Sequence, residues 1–132
     1  MRLGRMLATG IAGLLLAGGP RMEASAACLT ADVDDQTAEE RLASILFVDF
    51  AGRKEHAYIL ELAGPACLDG ERETDKVESS KRIHVYSMDA KLRRKMRGVV
   101  GRTVRVKGHA FGEHTVYHHA PIVMTIATIE RR

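Results

Sequence analysis

The chain has 132 residues, 45% of them hydrophobic and 28% charged, with two cysteines and no tryptophan. That balance fits a single globular domain and excludes a wholly disordered chain, a collagen-like repeat and a multi-pass membrane protein. The formal charge is +3, but residues 1–26 carry +2 of it through Arg2, Arg5 and Arg21 against Glu23, which leaves the remainder at +1.

The N-terminus reads as an export leader. Arg2 and Arg5 give a positive start, and Met6 to Ala17 form an apolar run too short to span a bilayer. Gly18, Gly19 and Pro20 break the run, and Ala24-Ser25-Ala26 supply the small residues that a signal peptidase reads. The expected signal peptide is therefore residues 1–26, with cleavage after Ala27 as the alternative. Cys28 lacks the upstream Leu of a lipidation site. A periplasmic or secreted location follows, with no transmembrane segment in the mature chain. An oxidising compartment favours a disulfide between Cys28 and Cys67; two unpaired thiols are the alternative, and their spacing is too wide for a metal pair.

Residues 27–41 form a polar, acidic lead-in, with a short helix expected over Thr37 to Ala43, ahead of a domain at 42–132. Ala43–Phe50 and His56–Leu62 then suggest two strands of a hairpin around the turn at Gly52-Arg53-Lys54-Glu55. Tyr58, Leu60 and Leu62 share one face, and Gly64-Pro65 end the second strand. Asp69 to Arg82 is so densely charged that it reads as a solvated loop. Arg82–Ser87 is the third strand.

A helix follows over Met88 to Gly98. Ser87 is its expected cap, Met88, Leu92 and Met96 its apolar stripe, and Gly98 its left-handed stop. Asp89 lies near the positive end of the helix dipole and the basic residues lie toward the negative end. Val104 and Val106 alternate with Arg105 and Lys107 in a half-buried strand bracketed by Gly101 and Gly108. Pro121–Glu130 is the last strand. Five strands with one helix between the third and fourth make the element order of a small, mainly β, OB-like barrel. A plain antiparallel sheet carrying one helix is the competitor.

The run from Tyr58 to Ile129 resembles the domain-of-unknown-function family 4431, a group of small exported bacterial proteins. The resemblance rests on three pieces: Pro65-x-Cys67, the Gly101-x-x-Val104-x-Val106-x-Gly108 strand, and Thr115-x-x-His118-His119-x-Pro121. Ala43-Ser44 and Tyr117 stand where the family often has glycines. The resemblance implies export and a β-rich domain, and it implies no activity.

His109, His114, His118 and His119 fall within eleven positions. Imidazoles this close, with Glu113 beside them, are candidate ligands for zinc or copper, and His114, His118 and His119 form the candidate metal set. The competing readings are a structural or solvated role, with the Thr115 hydroxyl ordering the turn, and a contact surface of His114, Thr115, His118 and His119 for a ligand or partner. In an extended segment His114 and His118 would lie on one side and His119 on the other, while a tight hairpin could still gather three of them. No Gly-x-Ser-x-Gly, HExxH or phosphate loop is present, so no enzymatic activity is expected. Tyr58 and Tyr86 are the only aromatic residues on the second and third strands, and the basic residues from Arg93 to Lys107 read as a solvated face, so no nucleic-acid partner is expected. The expectation is a binding or interaction module for an envelope protein or small ligand, with metal binding by segment 109–119 as the alternative.

Overall fold

The computed structural model describes residues 28–132. The expected leader, residues 1–26, and its cleavage position lie outside the described residues. In chain order the elements are β1 (Leu29–Thr30), β2 (Gln36–Val48), β3 (Lys54–Asp69), a 3-10 turn at Glu73–Asp75, β4 (Val77–Tyr86), α1 (Ala90–Gly98), β5 (Thr103–Gly112) and β6 (Ile122–Arg131). Among the described residues no helix is long and apolar enough to cross a membrane.

Antiparallel pairing joins β2 to β3 and β5, β3 to β4, and β5 to β6. A parallel β4–β6 ladder closes the sheet into a five-stranded barrel. This is the OB-like order, with α1 between the third and fourth barrel strands as expected. Closure removes the exposed edges that a small open sheet would carry. The strands reach the core by alternation: Leu42, Leu60, Ile83, Val85, Val104, Val106, Ile122 and Met124 are all fully buried within one cluster. Met96 of α1 joins them, with Leu92 and Val99 packed alongside. Burying one such side chain stabilises the fold by roughly 1.5–3 kcal/mol.

Several expectations are corrected. The helix over Thr37 to Ala43 is instead the first half of β2, so the barrel begins inside the polar lead-in. Those residues pair with β5, where Glu39 faces Arg105 and lies 3.6 Å from its guanidinium, so cross-strand pairing fixes the backbone that local composition left open. Past Leu42 the alternation shifts by one step. Ala43, Ile45 and Phe47 then lie opposite Ile59, Ala57 and Glu55 on the outer face of the hairpin. The hairpin turn falls at 49–53, earlier than expected, because the Asp49 carboxylate accepts the N–H groups of Ala51 and Arg53. Strand β3 does not end at Gly64-Pro65 but passes through a register shift between Glu61 and Ala66. Proline is tolerated at such a bulge because no ladder donor is needed there.

The charged loop is shorter than expected, since Val77 to Lys81 belong to β4. What remains is anchored rather than freely solvated. Asp75 is 1% exposed; its Oδ1 accepts the Gly112 N–H at 2.8 Å and its Oδ2 accepts Arg72 Nε at 2.8 Å. Gly112 is required at this junction, because a Cβ there would collide with the Thr74 carbonyl oxygen.

The helix cap is Asp89, whose carboxylate accepts from the N–H groups of Lys91 and Leu92; Ser87 instead accepts from the N–H of Asp89. Met88 precedes the helix and is 82% exposed, so the apolar stripe is Leu92, Met96 and Val99. Gly98 is the last helical residue, and the left-handed position falls on Gly101 at φ 87°. The Cys28–Cys67 disulfide is formed. Together with the parallel β1–β3 register of Leu29 with Leu68, it pins the start of the described chain to the end of β3.

Candidate functional site

The segment between β5 and β6, residues 113–121, carries most of the predicted site. It is a tight turn rather than an extended segment, closed at both levels. The Glu113 N–H donates to the Pro121 carbonyl at 3.0 Å, and inside it the His118 N–H donates to the Thr115 carbonyl at 3.1 Å. The Thr115 hydroxyl accepts the Tyr117 N–H at 3.2 Å, the turn-ordering role anticipated for it.

Folding brings His114 and His118 together edge to face, with ring centroids 4.8 Å apart. His118 Nδ1 accepts the backbone N–H of His114 at 3.2 Å. His119 points elsewhere. Its ring stacks on Phe47 at 3.9 Å with 9° between planes, and its Nε2 lies 3.2 Å from Glu55 Oε2. His109 leaves the cluster altogether and sits 3.1 Å from Asp32 and 3.5 Å from Asp34. Among the described residues, no three His, Cys, Asp or Glu side chains converge as a metal set.

The residue that sequence reasoning missed is His84. It lies on β4 between the core residues Ile83 and Val85, and it is 6% exposed. Alternation turns it away from the barrel core and toward the turn, where its Nδ1 accepts the His119 N–H at 3.2 Å. The ring centroids of His118 and His119 stand 6.3 and 5.5 Å away. A signal was present in the run Ile83-His84-Val85: a polar residue between two core positions, in a strand whose outer side is also covered.

Burial holds His84 well below the ordinary histidine range, at about 4, with neighbouring His119 and His118 adding to the effect and Glu55 opposing it. His118 is also lowered, first by burial and then by His114. Both rings are therefore neutral near pH 7, as their Nδ1 acceptor roles require. An accepting Nδ1 places the proton of each ring on Nε2.

Beside this cluster opens a cleft of about 330 Å³. The start of β3 supplies Glu55, His56 and Tyr58; the end of β4 supplies His84 and Tyr86, with Ser87 just beyond it; α1 supplies Arg93; and the turn supplies Thr115, Tyr117 and His118. Of the predicted site residues, Thr115 and His118 line this cleft. His119 stands in a neighbouring groove against Phe47, Phe50 and Val116. Tyr86 and His118 stack loosely, 27° between planes at 6.5 Å. The cleft thus combines flat aromatic walls with hydroxyl, imidazole, carboxylate and guanidinium groups. That composition suits recognition of a ligand with a flat face and a polar edge. The Ser87 hydroxyl already accepts a backbone N–H from Asp89.

Residues 82–130 match the model of a family described as a domain of unknown function, DUF4431. The expected resemblance is borne out over that stretch, which holds the glycine-valine strand and the paired histidines but not Pro65 or Cys67. No curated protein matches the chain significantly. Among solved structures the chain is similar to a Plasmodium falciparum SSB in complex with ssDNA, at 19% identity over 74% of this chain and 91% of that one, with a TM-score of 0.33. The barrel assignment here stands on strand order and register.

Proposed function

We propose that this protein is an exported OB-like binding module, periplasmic or secreted, that holds a small ligand in the cleft between the start of β3, the end of β4 and the 113–121 turn. The observation that carries this reading is the convergence of Tyr58, Tyr86, Tyr117, His118 and Arg93 on one opening of about 330 Å³. The volume lies in the range of small-molecule sites, and three phenol rings offer apolar surface with a hydrogen-bonding tip. Strand faces and the loops flanking them are where barrels of this order accommodate ligands. The leader-like N-terminus and the disulfide support export. The alternative chemistry, zinc or copper on His114, His118 and His119, would require the His118 Nδ1 bond to the His114 N–H to break and the His119 ring to turn from its stack on Phe47.

The test is a thermal-shift screen of the mature protein against nucleosides, aromatic amino acids, sugars and cell-wall fragments, repeated on a Tyr86→Ala, His118→Ala variant. A ligand that stabilises the wild type and loses most of its effect on the variant supports the cleft. Ligands that stabilise both proteins equally, or none across the panel, would overturn it. Recovery of the mature chain only from the cytoplasm, with residues 1–26 attached, would overturn the export half.

A further inference from the structure

The outer face of α1 is a concentrated cation surface. The helix reads Ala-Lys-Leu-Arg-Arg-Lys-Met-Arg-Gly and contains no carboxylate. Lys91, Arg94 and Arg97 recur every third residue and share the face opposite the buried Leu92–Met96 stripe. Arg93 and Lys95 flank that row, and all five are exposed. None of the five forms an ion pair among the described residues. The nearest carboxylate in sequence, Asp89, is occupied by the backbone N–H groups of Lys91 and Leu92. A helix selected only to cover the core would interleave acids with these bases. Like charges at this spacing repel, and a lysine at the second helical position opposes the dipole. The rest of the described domain is net acidic, so the charge is segregated rather than merely abundant. Exposed apolar side chains bracket the same helix, with Met88 before it at 82% exposure and Val100 after it at 40%.

We propose that α1 docks the domain on a membrane surface bearing anionic phospholipid. The row of Lys91, Arg94 and Arg97 meets the headgroup phosphates while Met88 and Val100 reach the interfacial region. Each basic residue near such a surface strengthens partitioning severalfold, and small apolar insertions add to it. A short cationic face gives reversible attachment. The inference is independent of what that cleft binds.

The experiment is co-flotation of the full mature protein with vesicles of phosphatidylcholine alone or with one third phosphatidylglycerol. Binding is expected only to the anionic vesicles and should collapse in 0.5 M salt, as screening requires. The Lys91→Gln, Arg94→Gln, Arg97→Gln variant should partition on the order of a hundredfold more weakly, and Met88→Ser should weaken binding without changing its salt dependence. A charge-matched control, Lys54→Gln, Lys81→Gln, Lys107→Gln, should bind as wild type. Equal loss in that control, equal binding to neutral vesicles, or a single-stranded oligonucleotide that binds through the same three residues more tightly than the vesicles do would each overturn the proposal. Circular dichroism melts keep misfolding of a variant apart from loss of docking.

Discussion

His84 and His119 are joined by a hydrogen bond in which the backbone N–H of one meets the ring Nδ1 of the other at 3.2 Å. That contact fastens the 113–121 turn to β4, and it exists only while His84 is neutral. Unfolded, His84 titrates near the ordinary 6.5; folded, at about 4. Between those values the unfolded chain binds more protons than the folded one, so stability rises with pH across that window and falls as pH is lowered from 6.5 toward 4. The full effect is on the order of 3 kcal/mol. Urea unfolding at pH 7.5 and 4.5 should register most of it. His84→Asn keeps an acceptor near the Nδ1 position and removes the titration, so its stability should change much less between the two pH values. Identical losses in both proteins would place the pH dependence elsewhere.

Asp75 is a second buried titratable group, and it rests charged where His84 rests neutral. Burial alone would raise its carboxyl, but the Gly112 N–H and the Arg72 guanidinium outweigh it and hold the group below the usual carboxylate range. A depressed carboxylate stabilises the fold at pH values above its unfolded titration, and that contribution disappears as pH drops through the lower folded value. Asp75→Ala would strand the Gly112 donor and should cost on the order of 3 kcal/mol at pH 7. Gly112→Ala, which drives a methyl group into the Thr74 carbonyl, should be at least as damaging. Chemical denaturation of both variants checks this, and near-wild-type midpoints would contradict the anchoring role.

The parts of the fold legible in the sequence were those where one side chain repeats a local rule. Val104 and Val106 alternate into the core, Leu92 and Met96 share a helix face, and the element order already implied the barrel that the β4–β6 ladder closes. The parts that were not legible depend on partners far along the chain. Thr37 to Arg41 look helical until β5 supplies Arg105 and Lys107 opposite them. Ser87 is as good a helix cap as Asp89 on residue type alone, and only the backbone decides which one faces the free N–H groups. The paired histidines and Thr115 were visible as a motif, yet His84, to which the turn is fastened, lies 35 residues upstream in an ordinary strand.

Reduction of the Cys28–Cys67 bridge offers a test of how the start of the chain is held. The bond spans a separation of 39 residues and, with the short β1–β3 ladder, ties Leu29 beside Leu68. In the chain-entropy model, closing a loop of that size stabilises a fold by about 4 kcal/mol. Cys28→Ala, Cys67→Ala should therefore lower the free energy of unfolding by 2–4 kcal/mol, by order of magnitude, and dithiothreitol should do the same to the wild type but not to the variant. Unchanged stability on reduction would mean that β1 and the barrel hold this end without the covalent bond.

Zinc and copper titrations decide between the two chemistries offered by the histidine segment. His118 Nδ1 is occupied by the His114 N–H, and His119 Nε2 is engaged with Glu55. A metal gathering the set would have to break the first contact and separate the stacked His119–Phe47 pair, although the Glu55 contact could persist with His119 ligating through Nδ1. Calorimetry of the protein should therefore give weak binding that a His118→Ala, His119→Ala variant reproduces. The same variant should lose stability at neutral pH, because its turn no longer has the His114–His118 bond or the ring stacked on Phe47. Wild-type affinity at least tenfold above that of the variant, weakening as pH falls and the imidazoles protonate, would instead make these histidines ligands, since imidazole coordinates only in its neutral form.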